Sequence, residues 1–358
     1  MKKLGIISVI LFLLLICFII YTLASTGFWR TIADPYEGKV YTQFSIPGAE
    51  DMTVLEEEDF IVISSDDRRS NEQGGIYIQD LRKVKVKPIN ISEKFKKPFH
   101  PHGISLYKLD SLGYILYVIN HVEEVENGNV VKRHYIEKFQ LHGYDLKHLE
   151  TIKHPKISSP NDIVAIDENQ FYFTNDHGFT SKWGILVEDY LGLAKGNVVY
   201  FDGQNYDEKA SKIAYANGIN YDTERKLLFV ASPRRFLIKV FQVGDNMDLT
   251  FIENIDCGTG VDNIEFDQNK KLWIGCHPDL ITFGEYAKGK VDYSPSEIIT
   301  IDYRKKGDFD IKTIFMDNGK RISACTVAIP YKEFIYVGNV MANQFVVLST
   351  KTKFKGKK

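Results

Sequence analysis

Six short polar pairs recur along the chain at intervals of 45 to 63 residues: Glu50-Asp51, His102-Gly103, Asn161-Asp162, Asn217-Gly218, Asp262-Asn263 and Cys325-Thr326. Each runs straight into an apolar segment, then a turn rich in Asp, Asn, Glu and Lys, then a second apolar run. NDIVAIDENQFYFTND from Asn161, NGINYDTERKLLFVAS from Asn217 and DNIEFDQNKKLWIGCH from Asp262 show the layout. Such segments read as β-hairpins. Repeats of roughly 40 to 50 residues with several short strands apiece are the signature of propeller blades. The expected fold is therefore all-β, a six-bladed β-propeller round a central channel, filling residues 46–350 as one domain.

The first strand of a blade lines the channel, so the six pairs should meet near one end of its axis. Glu50, Asp51, Asn161, Asp162, Asn217, Asp262 and Asn263 then bring together carboxylate and amide oxygens with no lysine or arginine among them. Hard oxygen donors without thiolates suit Ca²⁺. Asn, Asp and Gly also gather at strand ends simply because they favour turns, which would account for any one pair; five in register argue for more. Histidine adds a second chemistry. His102 in HPHGIS, His121 in VINH, His177 in FTNDH and His277 in GCHP fall at strand ends beside the acidic pairs, where a neutral imidazole can take a proton from water. Each could instead only satisfy local backbone groups, but His102 occupies a pair itself.

The chain has 358 residues, 44% hydrophobic and 13% aromatic, enough for one large core, and its net charge of −2 offers no footprint for nucleic acid. Leu4 to Ala24 carries no charge and matches the roughly 20 residues that cross a bilayer as a helix. Residues 1–25 thus read as a membrane anchor, 26–45 as a linker and 351–358 as a basic tail. Lys2 and Lys3 before the apolar stretch favour an exported propeller. Thr22-Leu23-Ala24 also allows a cleaved signal segment and a secreted protein. Apart from Cys17, only Cys257, Cys276 and Cys325 remain, an odd set that permits at most one bridge and no zinc site. Cys276 and Cys325 read as small buried residues. SKWGILVEDYLGLAK, 181–195, spaces Trp183, Leu186, Tyr190 and Leu193 as an amphipathic helix that could cap the channel, touch a membrane or pack on the propeller. Asn90-Ile91-Ser92 is an N-glycosylation acceptor sequence. No G-x-S-x-G elbow occurs, which disfavours a serine esterase.

Together, GAEDMTVL, HPHGIS, SPNDIVAI, TNDH, ANGIN, VDNIEFD and WIGCHP resemble, in order and spacing, the signature segments of the paraoxonase/arylesterase family, over about residues 46 to 350. The resemblance implies a six-bladed propeller with two calcium ions. It places the catalytic ion on Glu50, Asn161, Asn217, Asp262 and Asn263, and the structural ion on Asp51, Asp162 and the backbone carbonyl of Ile104. It implies hydrolysis of lactones and aryl esters, with an ion polarising the carbonyl, His102 deprotonating water and His121 passing the proton outward. A calcium-bound carboxylate such as Glu50 or Asp262 could serve as base instead. Asp176, His177 and His277 match further positions at the pocket wall.

Two features depart from the family. Its disulfide has no counterpart here, since no cysteine lies between Cys17 and Cys257, so closure of the ring must rest on strand pairing and packing. The loop 66–75, DDRRSNEQGG, is short and charged where the family carries a longer one with a tyrosine over the site. Two alternatives stand beside this reading: a sugar-lactone hydrolase of the gluconolactonase-like kind, and a non-catalytic, membrane-anchored calcium propeller that binds a ligand or partner.

Overall fold

The computed structural model describes residues 2–36, 38–70, 72–109 and 113–350. The basic tail, 351–358, lies outside them. Six four-stranded antiparallel sheets follow one another round a central axis. In five sheets the first strand in sequence is the innermost, in the sixth the innermost is Cys325–Tyr331, and each innermost strand packs against the next. The polar pairs sit at the start of these six strands, as the periodicity predicts.

Five of the six pairs also coincide with a break in register against the neighbouring strand, between Ala49 and Asp51, Pro101 and Ile104, Pro160 and Ile163, Val261 and Ile264, and Cys325 and Ala328. A β-bulge turns side chains out of the alternating pattern and leaves polar groups unpaired. Five of the repeated pairs are therefore bulges, and Asn217-Gly218 completes their ring just ahead of a regular strand. Gly103 and Gly218 let this ring close up. A Cβ on Gly103 would lie 2.6 Å from the carbonyl oxygen of Asn161, and one on Gly218 would lie 2.3 Å from that of Asp262.

The core is divided into six apolar layers, each between two adjacent blades. Tyr117, Phe171 and Phe173 fill the layer between the second and third blades, and Phe229 the one between the fourth and fifth. Burying such a side chain contributes about 1.5–3 kcal/mol. Every blade thus depends on both neighbours for its apolar faces.

One boundary differs from expectation. Residues 39–44, assigned to a linker by sequence, form a strand, Lys39–Phe44, that pairs antiparallel with Phe345–Ser349 and completes the sixth blade. The rest of the segment is docked too: Arg30 forms an ion pair with the buried Glu297, Asp34 with Arg321, and Tyr36 packs on Phe315. No local signal marks this strand: its pattern, KVYTQF, is short and follows no polar pair. Its partner lies some 300 residues away, where local periodicity carries no signal.

Three helices lie outside the blades. The apolar N-terminal helix α1, Lys2–Ser25, exposes most of its side chains and is long and apolar enough to cross a membrane. Helix α2, Lys182–Leu191, is the amphipathic segment read from the sequence; Ser181 caps it by accepting from the amide of Gly184, and Gly192 ends it at φ 60°. Helix α3, Leu280–Ala287, has Asp279 as its cap, accepting from the amides of Ile281 and Thr282.

Candidate active site

The bulge ring opens into a cavity of about 530 Å³. Glu50, His102, Asn161, Asn217, Asp262 and His277 form its polar floor, and Leu186, Leu280, Ile281, Phe283 and Met341 supply apolar wall. The three helices converge on the mouth. Thr26, just past α1, lines it, and the carbonyl of Thr26 accepts from the amide of Leu280 at the start of α3. Arg234 joins α1 to α2 by donating to the carbonyls of Ser25 and Tyr190. On α2, Leu186 and Tyr190 turn to the cavity while Trp183 is 81% exposed, so the helix caps the channel by one edge and leaves an aromatic on the outer surface.

Five buried oxygens, four of them on residues of the floor, share a property found at few other buried side chains. Glu50 Oε2, Asn161 Oδ1, Asn217 Oδ1, Asp262 Oδ1 and Asn263 Oδ1 are buried and have no hydrogen-bond partner among the described residues. The other ends of these side chains are anchored. Glu50 Oε1 accepts from Asn263 Nδ2 at 3.0 Å, Asp262 Oδ2 lies 2.8 Å from His277 Nε2, and Asn161 Nδ2 donates to Asp176 at 3.5 Å. His277 is held in turn by stacking on Phe283 of α3, ring centroids 4.1 Å apart. Leaving a buried polar atom unsatisfied costs about 1–3 kcal/mol. Four of the five belong to residues that line the cavity, and buried carboxylate and amide oxygens left open are the donor type that a hard cation takes.

Asp51 and Asp162 lie deeper and are spanned by backbone. Asp51 accepts from the amides of Met52 and Ile104, at 2.8 and 2.7 Å, and Asp162 from those of Ile163 and Ile219, both at 2.7 Å. Each carboxylate thus ties its own blade to the next. Ile104 meets Asp51 through its N–H. Burial, then the charge of Asp162, pushes the Asp51 carboxyl well above the ordinary range, and burial does the same to Asp162. Asp262 is also raised by burial, against the pull of His277. Burial acts on Glu50 in the same sense, but His102 and Arg68 outweigh it and hold that carboxyl low. A channel holding four buried carboxylates in which burial opposes every charge is stabilised by positive counter-charge.

The expected histidine pair is brought together. His102 Nδ1 lies 2.7 Å from His121 Nε2, and His102 Nε2 lies 3.3 Å from Glu50 Oε1. Desolvation, followed by the neighbouring His102 and His134, pushes His121 well below its usual value, so it stays neutral.

His177 belongs to a separate cluster on the wall. Its Nδ1 lies 2.7 Å from Asp176 and its Nε2 3.1 Å from Asp189 of α2. Burial opposes its charge, but the two carboxylates prevail and push it up to about 10. A raised histidine stabilises the fold fully below its ordinary 6.5 and ceases to do so as pH climbs through 10. Asp189→Asn is accordingly expected to lower the melting temperature at pH 6.5 and to have no such effect above pH 10. An equal drop at both, by scanning calorimetry, would show that this ion pair does not clamp α2 to the wall.

Sequence reasoning missed several lining groups. Tyr215 borders the cavity with φ 58°, a left-handed backbone unusual for a bulky residue. Arg68, in the short charged loop, lines it as well. No spacing rule marks either. Asn90, on the outer strand of the first blade, accepts from the amide and hydroxyl of Ser92, both at 2.9 Å. All four cysteines are free, and Cys276 and Cys325 are buried as expected.

A family model described as Arylesterase matches residues 66–347. The chain belongs to the arylesterase family. Rat serum paraoxonase/arylesterase 2 is 32% identical over 275 residues, 75% of each chain. Human serum paraoxonase/arylesterase 1 is 31% identical over 275 residues, again 75% of each. Among solved structures, a luciferin-regenerating enzyme superposes with a TM-score of 0.52 at 11% identity, covering 89% of this chain and 94% of its own. A putative gluconolactonase gives 0.52 at 12%, covering 90% and 95%. These two likenesses establish the propeller. As an arylesterase the protein is a carboxylic ester hydrolase, and the cavity at the bulge ring is where its residues can do that chemistry. The matched span starts after Glu50-Asp51, whose place in the site rests on geometry alone.

Proposed function

We propose that this arylesterase hydrolyses lactones and aryl esters in the 530 Å³ cavity, with one Ca²⁺ held by Glu50, Asn161, Asn217, Asp262 and Asn263. The carrying observation is the set of five buried oxygens without partners. Asp51, Asp162 and the carbonyl of Ile104 would hold a second, structural ion, in keeping with the upward push on both carboxyls. A cation in the upper cradle supplies Lewis-acid polarisation of the ester carbonyl and counter-charge for its oxygen as that becomes negative.

The chain's own residues do the rest. His277 holds Asp262 by one oxygen and so fixes the direction of the other. Asn263 does the same for Glu50. His102 presents Nε2 to the cavity floor and receives the proton of the attacking water there, while His121 orients the ring by bonding its Nδ1. The apolar wall from α2 and α3 takes an acyl or aryl group and excludes water, which favours such substrates over polar sugar lactones. The length of the apolar stretch supports α1 as an uncleaved anchor, and Lys2 and Lys3 before it support export of residues 46–350 as the hydrolase domain; removal of α1 would give a secreted form.

The test is turnover of phenyl acetate and of a panel of γ- and δ-lactones by the full-length protein, with calcium and then with excess chelator. Loss of turnover under chelation is expected, as is a marked fall in His102→Gln with calcium present. Turnover indifferent to chelator would sink the metal-assisted reading. A His102→Gln enzyme at full rate would remove that residue as the base.

A further inference from the structure

A third histidine continues the line that His102 and His121 begin. His121 Nδ1 lies 2.6 Å from the Nδ1 of His134, with ring centroids 4.8 Å apart. The two face each other across a hairpin of Gly113–Glu126 and Asn129–His142, in which His121 is the register partner of His134. Its turn, Asn127-Gly128, has φ 51° and 79°, the left-handed pair that fixes a two-residue hairpin. The register is thereby pinned, and so is the contact. His134 is half-buried, and its Nε2 makes no hydrogen bond to a described residue.

The three rings form one chain from floor to rim. His102 has Nε2 at Glu50 and Nδ1 at His121; His121 has Nε2 at His102 and Nδ1 at His134. Both nitrogens of the two inner rings are thus used, one toward the cavity and one away from it. Hydrolysis of a lactone by water yields a hydroxycarboxylate and one proton, which must leave a floor otherwise lined by buried side chains. An imidazole that accepts a proton on one nitrogen and releases one from the other passes it on without lasting charge.

We propose that His134 is the outer member of a three-imidazole proton relay, delivering to solvent the proton that His121 receives from His102. This rests on the reading of His102 as the base. No bond other than N–H is made or broken in the relay: each ring gains one proton and loses one, and the balance is a single proton from water to bulk.

The experiment compares full-length His134→Gln, His134→Asn and His102→Gln on one lactone, at fixed calcium, in dilute and in concentrated imidazole buffer. Both His134 variants should keep KM and lose kcat on the order of tenfold in dilute buffer, part of the 10²–10⁴-fold range of proton-transfer catalysis. Added imidazole should restore the rate, because a mobile base replaces the missing ring. His102→Gln should not be restored. A His134 rate equal to the parent's in dilute buffer, with His102→Gln impaired, overturns the relay and leaves the base standing. A loss in both His134 variants that imidazole does not repair assigns the residue a structural role and also overturns it. His102→Gln at the parent's rate removes the reading beneath it.

Discussion

Asp262→Ala is expected to abolish lactone and aryl-ester turnover while leaving the propeller folded. The side chain carries two duties on its two oxygens. Oδ1 is one of the five unpartnered atoms, and Oδ2 fixes His277, which is stacked on Phe283 of the capping helix. Truncation removes one of the proposed ligand oxygens and the carboxyl that ties His277 to the floor. Losing one well-placed group that stabilises developing charge costs about 10²–10³-fold. If Asp262 holds the proposed ion, losing it together with the His277 contact should reach or exceed the upper end. Asn161→Ala, which removes another orphaned oxygen from a different blade, should behave alike. Measured kcat/KM in saturating calcium decides the matter; retention of more than about a tenth of the parent's value in both variants would mean that the chemistry happens elsewhere.

The second large effect concerns stability. In calcium, Asp51→Ala should melt about 10 °C below the parent, taking roughly 2–4 °C per kcal/mol for a domain of this size. Its carboxylate accepts the buried amides of Met52 and of Ile104 in the next blade, and orphaning each costs about 1–3 kcal/mol. An ion that binds only the native state adds about 2.7 kcal/mol at a hundredfold excess over its dissociation constant, and the variant would forgo that too. Relief of repulsion with Asp162 works the other way, and matters chiefly without metal. The parent should therefore lose more thermal stability on chelation than Asp51→Ala, which would retain only the ion proposed on the other five residues. Identical melting of the parent with and without chelator would contradict a bound structural ion.

The sequence exposes those parts of the architecture that repeat. Bulges recur at five of the six inner strands, and the spacing of the polar pairs alone groups Glu50, Asp51, Asn161, Asp162, Asn217, Asp262 and Asn263, while their division into two sets comes from the family resemblance. The glycines after His102 and Asn217 follow from the same crowding. What stayed hidden is set by pairs distant in sequence or free of pattern. The strand Lys39–Phe44 finds its place only through Phe345–Ser349. Arg68 and Tyr215 reach the cavity through loops whose course no periodicity dictates. His134 is the one that could have been found: with Asn127-Gly128 as the turn, counting outward pairs Glu126 with Asn129 and, five steps on, His121 with His134. α3 announced itself only by a capping Asp279 before a short apolar run.

The pairing of Lys39–Phe44 with Phe345–Ser349 also sets a temporal order on the molecule. The strand that completes the last blade is made before every other strand of the propeller, and its partner after every other. A nascent chain can stack blades one to five in turn, but the ring stays open until residue 349 is available. Bringing strands so far apart together carries a loop-closure entropy that local hairpins escape. The contacts of Arg30, Asp34 and Tyr36 with the fifth blade shorten that search. They park the waiting strand beside the gap as soon as the fifth blade exists, so that the final step joins neighbours and an unpaired β-edge is not left to find another molecule.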